Sequence, residues 1–176
     1  LSESATAKEA VELLLSIYDS VGAAGGSGIF IADDKEVWYV ENASGTQYVA
    51  VKLTSTMAFS QPNMSVIGLI DLDDTENVMA SANLIAVAEQ AGSYVGDKEA
   101  NTIDYAASYN ADQSIGSRMV NALKYFNAAT AKEEPDYADF AISNVAADGS
   151  IVPMYTNITL DHAWSVADVV GYYHIA

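Results

Sequence analysis

Apolar side chains recur at Val11, Leu14, Leu15, Tyr18 and Val21, with Lys8, Glu9 and Asp19 elsewhere on the wheel, and this spacing predicts an amphipathic helix over residues 6–21. The following Gly22-Ala-Ala-Gly-Gly-Ser-Gly28 predicts a helix break and a loop. Three strand patterns come next, at residues 27–32, 36–41 and 46–53, separated by Asp33-Asp-Lys35 and Asn42-Ala-Ser-Gly45. Their spacing predicts an antiparallel meander joined by short turns. A fourth short strand is expected at 57–59, then a turn at Ser60-Gln-Pro-Asn63, where proline disfavours helix for Gln61. Asp73 and Glu76 are spaced like a capping box and predict a helix over 75–91, ended by Gly92. Residues 101–107 carry a mixed pattern, 115–126 a helical one, 128–148 a loop-like one, and 165–176 a helical one that runs to the last residue. Helix, then strand cluster, then helices is the order of an α+β fold, an antiparallel sheet with helices packed on it, in a single domain spanning residues 1–176.

Charge and composition narrow the function. The 176 residues carry 7 Lys+Arg against 24 Asp+Glu, a net charge of −17 and a pI near 4.1. With 51% hydrophobic and 18% charged residues, the chain can bury a real core, so the acidity does not signal disorder. Its longest apolar runs, at 11–17 and 166–173, fall short of the roughly 18 residues of a spanning helix. Nucleic-acid binding needs clustered cations, whereas these are scattered from Lys8 to Lys132 with Arg118 the only arginine. The absence of cysteine removes disulfides, thiolate metal sites and a thiol nucleophile from these residues. Leu1-Ser-Glu-Ser-Ala5 has neither the charged start nor the apolar stretch of a signal peptide, and no stop signal follows the last helical pattern, which reads as a cut chain.

Most candidate motifs dissolve on inspection. Gly22–Gly28 lacks the Lys-Ser/Thr of a phosphate loop and follows a helix where a strand is needed. Asp71-Leu-Asp-Asp74 lacks the spacing, glycine and terminal Glu of a calcium loop, and suits helix capping. His162 and His174 are not at zinc-ligand spacing, no Gly-x-Ser-x-Gly elbow exists, and the three Asn-x-Ser/Thr matches carry no weight. Two residues remain. Asn63 sits in a turn after a proline, where its amide could either donate to a developing oxyanion or close an Asx turn. Arg118 could bind a carboxylate of either a substrate or the protein itself.

Several of these stretches resemble, in order and spacing, the bacterial dipeptidases of peptidase family C69, also called U34. They are Glu36-Val-Trp-Tyr-Val-Glu41, Tyr48-Val-Ala-Val-Lys52, Pro62-Asn63, Ile67-Gly-Leu-Ile-Asp-Leu-Asp-Asp74 and Asn83-Leu-Ile85. Ser117-Arg118 with Leu123-Lys-Tyr-Phe-Asn127, and Ser165-Val-Ala-Asp-Val169, fit the same order, so the likeness runs from about Ala5 to Ile175. The resemblance implies an N-terminal-nucleophile hydrolase, similar to bile-salt hydrolases and penicillin V acylases, with a four-layer αββα sandwich. It implies cleavage of small peptides by a cysteine at the mature N-terminus, whose α-amino group moves the proton, with no metal and no cofactor. By position, Asn63 resembles the asparagine that follows a strand in the related acylases and donates to the oxyanion, and Arg118 resembles their later active-site arginine, binding substrate.

The chain departs from that pattern where the chemistry starts. It has no cysteine, Leu1 supplies no nucleophile, and the amino group of Ser2 is locked in a peptide bond. The expectation is therefore an internal fragment of a larger, cytoplasmic dipeptidase, inactive alone, with the thiol upstream. Its partners would be a small peptide in the full-length protein, neither nucleic acid nor membrane, and a second copy through exposed sheet surface. An acylase of a non-peptide amide and a non-catalytic structural or binding module are the alternative readings.

Overall fold

The computed structural model describes residues 3–61, 63–110, 116–126 and 135–173. Helix α1 (Ala7–Val21) begins where predicted, with the Thr6 side chain accepting from the Glu9 amide, and ends at Gly22 with φ 73°. Strands β1 (Ala23–Ala32), β2 (Val37–Gly45), β3 (Tyr48–Leu53) and β5 (Val78–Ala80) form one antiparallel sheet in the order β1-β2-β3-β5. The meander is thus as expected, with β5 added at the free edge of β3.

Alternation along β2 and β3 gives this sheet two buried faces. Trp38 and Val40, with Tyr48 and Ala50, pack against Val11, Leu14, Leu15 and Tyr18 of α1. Tyr39, Val49 and Val51 point the other way, into a larger core shared with Val66, Ile67, Ile70, Ile103 and Ile142. That second core is built around two antiparallel pairs, β4 (Leu69–Asp71) with β6 (Thr102–Asp104) and β7 (Ile142–Val145) with β8 (Ile151–Thr156). A parallel bridge between Ile67 and Ile142 links them, and the Ile142 amide donates to the Val66 carbonyl at 2.7 Å. Helices α2 (Leu84–Ala91), α3 (Tyr105–Tyr109) and α4 (Ser117–Phe126) each bury residues in the same core, while α5 (Val166–Tyr173) follows a Ser165 cap. The chain is therefore mixed α/β with antiparallel sheets and helices. Among the described residues no helix is long and apolar enough to cross a membrane.

Several local expectations fail for physical reasons. The glycine-rich run is no loop: it forms the start of β1, irregular between Ala23 and Gly26, because ladder hydrogen bonds need only backbone. The turn expected at 42–45 moves toward Gln47, with Ser44 (φ 78°) and Gly45 (φ 57°) left-handed and Ala43 donating to the Gln47 carbonyl. Residues 57–59 are not a strand. The helix expected over 75–91 is cut to Leu84–Ala91, because the Asp74 carbonyl accepts from the Asn77 and Val78 amides in a turn and β5 then pairs with β3. The Asp73–Glu76 capping box is absent for the same reason. Part of the loop-like 128–148 is strand β7, stabilised by its partner 75 residues earlier. Pro62, Ile115 and His174 lie outside the described residues.

Candidate functional site

Glu41 occupies an odd position of β2, on the face that carries Tyr39, so its side chain is directed into the inter-sheet core and is only 3% exposed. A carboxyl there is tolerable only with donors around it. Oε1 accepts from the Tyr39 hydroxyl at 2.7 Å and from the Val66 amide at 2.7 Å, and Oε2 from the Ile67 amide at 3.4 Å. Burial still dominates, raising the Glu41 pKa to about 7 despite the Val66, Tyr39, Ile67 and Ser65 donors that favour its anion. The neighbouring tyrosines respond accordingly: burial first and the Glu41 charge second raise Tyr39 and Tyr105 well above the usual phenol range.

These bonds fasten residues 65–67 to β2, and Asn63 lies just upstream. Asn63 and Glu41 line one cavity of about 450 Å³ together with Ser27, Gly28, Gln61 and Tyr109. Tyr109 is fixed there by donating to the Leu84 carbonyl at 2.6 Å, and burial pushes its pKa up to about 12. Gln61 also lines a second, more apolar cavity of about 770 Å³, where Arg118 stands among Phe30, Phe59, Phe126 and Trp164.

The two residues singled out in the sequence meet between these cavities. The Arg118 Nη1 donates to the Asn63 Oδ1 at 3.5 Å, a long hydrogen bond joining an exposed turn to the first turn of α4. With the oxygen facing a cation, the Asn63 amide group is oriented to present its N–H donors elsewhere. Among the described residues Arg118 forms no ion pair with a carboxylate.

Other candidates are absorbed into the scaffold. Asp71 accepts from the Asp73 amide, Asp73 from the Asn101 side chain at 2.6 Å, and Asp74 from the side chains of Asn77 and Asn144. His162 contacts Asp161 and approaches Asp168 at 3.6 Å on an exposed surface, and these carboxylates raise its pKa. The sequence reading missed Glu41, Gln61 and Tyr109. Only Glu41 left a signal: a charge in the inward register of a strand whose two faces are both apolar.

Comparison with known proteins matches residues 1–158 to the model of peptidase family C69. A protein named probable dipeptidase B from Streptococcus pyogenes serotype M6 is 40% identical over 90 residues, covering 51% of this chain and 18% of that protein. A probable dipeptidase from Salmonella dublin is 34% identical over 107 residues, covering 61% of this chain and 24% of that protein. One from Latilactobacillus sakei is 35% identical over 79 residues, 45% of this chain and 17% of that protein. The chain thus spans about a fifth of the length of the curated relatives it matches. With the family model covering nearly its whole length, the chain belongs to peptidase family C69.

Proposed function

We propose that this chain is the internal, oxyanion-side part of a larger dipeptidase that works as a cysteine-type N-terminal-nucleophile hydrolase of αββα architecture. The thiol lies outside these 176 residues, which hold no cysteine. In the whole enzyme the thiolate attacks the peptide carbonyl, its own α-amino group takes and returns the proton, and the Asn63 amide donates to the tetrahedral oxyanion. Arg118 holds the substrate's terminal carboxylate as a fork of parallel donors.

The observation carrying this reading is the 3.5 Å separation of Asn63 Oδ1 and Arg118 Nη1. The hydrogen bond sets an amide and a guanidinium side by side, so a carbonyl held by Asn63 and a carboxylate held by Arg118 lie close together, as they do in a peptide that ends one residue past the scissile bond. That geometry suits release of a single C-terminal residue, as dipeptide hydrolysis requires. The buried Glu41 supports it by tying residues 65–67, and through them the Asn63 turn, to β2.

The test is hydrolysis by the full-length protein of dipeptides, of longer peptides and of simple amides, with and without a thiol-alkylating reagent. Dipeptide turnover that the reagent abolishes is expected, with no turnover by the isolated chain. Thiol-insensitive turnover, cleavage confined to non-peptide amides, or activity of the cysteine-free chain alone would each refute it.

A further inference from the structure

The 770 Å³ cavity beside Arg118 is lined by two groups of aromatic rings. In one, the rings of Phe30 and Phe59 stack at 5.5 Å, each also against the buried Tyr39, at 4.8 and 5.3 Å. In the other, Phe126 packs on Trp164 at 4.3 Å and stacks with Tyr172 at 6.1 Å. Such rings, fixed by one another, offer a rigid apolar slot that loses little entropy on filling. Arg118 is the charged member of the lining, and Gln61 joins this cavity to the one that holds Asn63 and Glu41. The cavity has the size of a small-ligand site, apolar with a few convergent polar groups.

Resting on the dipeptidase reading above, we propose that this cavity takes the side chain of the residue released from the C-terminal end, so that the preferred substrates are dipeptides ending in a large apolar or aromatic residue. A carboxylate on Arg118 brings the attached side chain within reach of the rings that line the same cavity. Charge acts in the same sense, because a single cation beside apolar walls selects one carboxylate carrying an uncharged side chain.

The experiment uses the full-length protein. Its kcat/KM for Ala-Phe and Ala-Leu is compared with that for Ala-Gly and Ala-Asp, in the wild type and in Phe30→Ala and Phe59→Ala. Separately, its tryptophan fluorescence is followed while L-phenylalanine or glycine is added. Burial of a Phe-sized side chain predicts a preference for Ala-Phe over Ala-Gly of about 10- to 100-fold, reduced several-fold in either variant. Because the ratio is taken within one preparation, partial unfolding lowers both rates alike and leaves the ratio intact. Saturable quenching or enhancement by L-phenylalanine and not by glycine is expected from Trp164. Dipeptide turnover with equal rates for all four substrates, or a preference unchanged in both variants, overturns the cavity assignment and leaves the dipeptidase reading standing. Phenylalanine binding without any dipeptide hydrolysis overturns the dipeptidase reading instead, and keeps the cavity as a site for an aromatic amino acid. Neither binding nor hydrolysis overturns both.

Discussion

The backbone amide of Val66 donates to the Glu41 Oε1 at 2.7 Å, fastening the segment after Asn63 to the middle of β2 through a buried carboxyl. The same carboxyl is held near pKa 7, above its ordinary 4.5, chiefly by burial. A carboxyl whose folded pKa exceeds its unfolded one binds extra protons in the folded state. Its contribution to stability is therefore full below about pH 4.5 and lost as pH rises through about 7. Glu41→Gln keeps an oxygen for Val66 and Tyr39 but cannot ionise, so the stability of the wild type relative to the variant should fall between those pH values in urea titrations. Parallel pH profiles would show that Glu41 does not titrate in that range.

On the mechanism proposed above, Asn63 and Arg118 should separate kinetically in the whole enzyme, because there one acts on a charge that develops in the transition state and the other on a charge already present. Asn63→Ala should lower kcat by about 100- to 1000-fold with KM little changed, the cost of losing one oxyanion donor. Arg118→Ala should raise KM for a free dipeptide far more than for the same dipeptide with its C-terminus amidated. Arg118→Lys should restore charge but not the fork, giving partial recovery. Equal losses on the free and amidated substrates would remove Arg118 from carboxylate recognition.

What was legible in the chain follows the range of the interactions that decide each element. Helix α1 and the strands around Trp38 and Tyr48 are set by local periodicity, and their inward and outward faces are readable in the residues themselves. The segment from Asp73 to Ala91 was not, because Asp74 and Asn77 serve a turn as well as they serve a helix start, and the open edge of β3 decided for strand at Val78. Strand β7 depends on the distant bridge between Ile67 and Ile142, which no local pattern announces. Asn63 and Arg118 were each identifiable by residue type, whereas their meeting across 55 residues is a product of the packed core.

Gly28 stands opposite Glu41 in the β1–β2 ladder, and a methyl group there would lie 2.5 Å from the Tyr39 hydroxyl and 3.0 Å from the Gln61 amide nitrogen. Gln61 is exposed, but Tyr39 is fully buried and bonded to Glu41, so the clash falls on the atom least able to move. Gly28→Ala should therefore destabilise by about 1–3 kcal/mol in chemical denaturation, the usual range for overpacking. Gly25→Ala, with open space around its position, serves as the comparison and should change stability by no more than about 0.5 kcal/mol. Equal effects at the two glycines would mean that the Tyr39–Glu41 contact is not the constraint.

Asp33 links the β1–β2 turn to the start of α1. Its Oδ2 accepts from the Ala7 amide at 2.8 Å, and its Oδ1 from the Lys35 and Glu36 amides at 2.7 and 2.9 Å. The Ala7 amide is one of the donors that a helix N-terminus leaves without an internal acceptor, and a negative charge there also meets the positive end of the helix dipole. These three amides, that of Ala7 foremost, hold the Asp33 carboxyl below its ordinary pKa of 3.8. For a carboxyl lowered in this way the stabilisation is present above the unfolded pKa and is lost as pH falls through the folded one. Asp33→Asn should consequently lower Tm at neutral pH and speed amide exchange in the first turn of α1, and the gap should close as the solution is acidified below about pH 3.8 and the wild-type carboxyl takes up its proton. A Tm difference that persists undiminished in acid would assign the effect to the shape of the side chain and not to its charge.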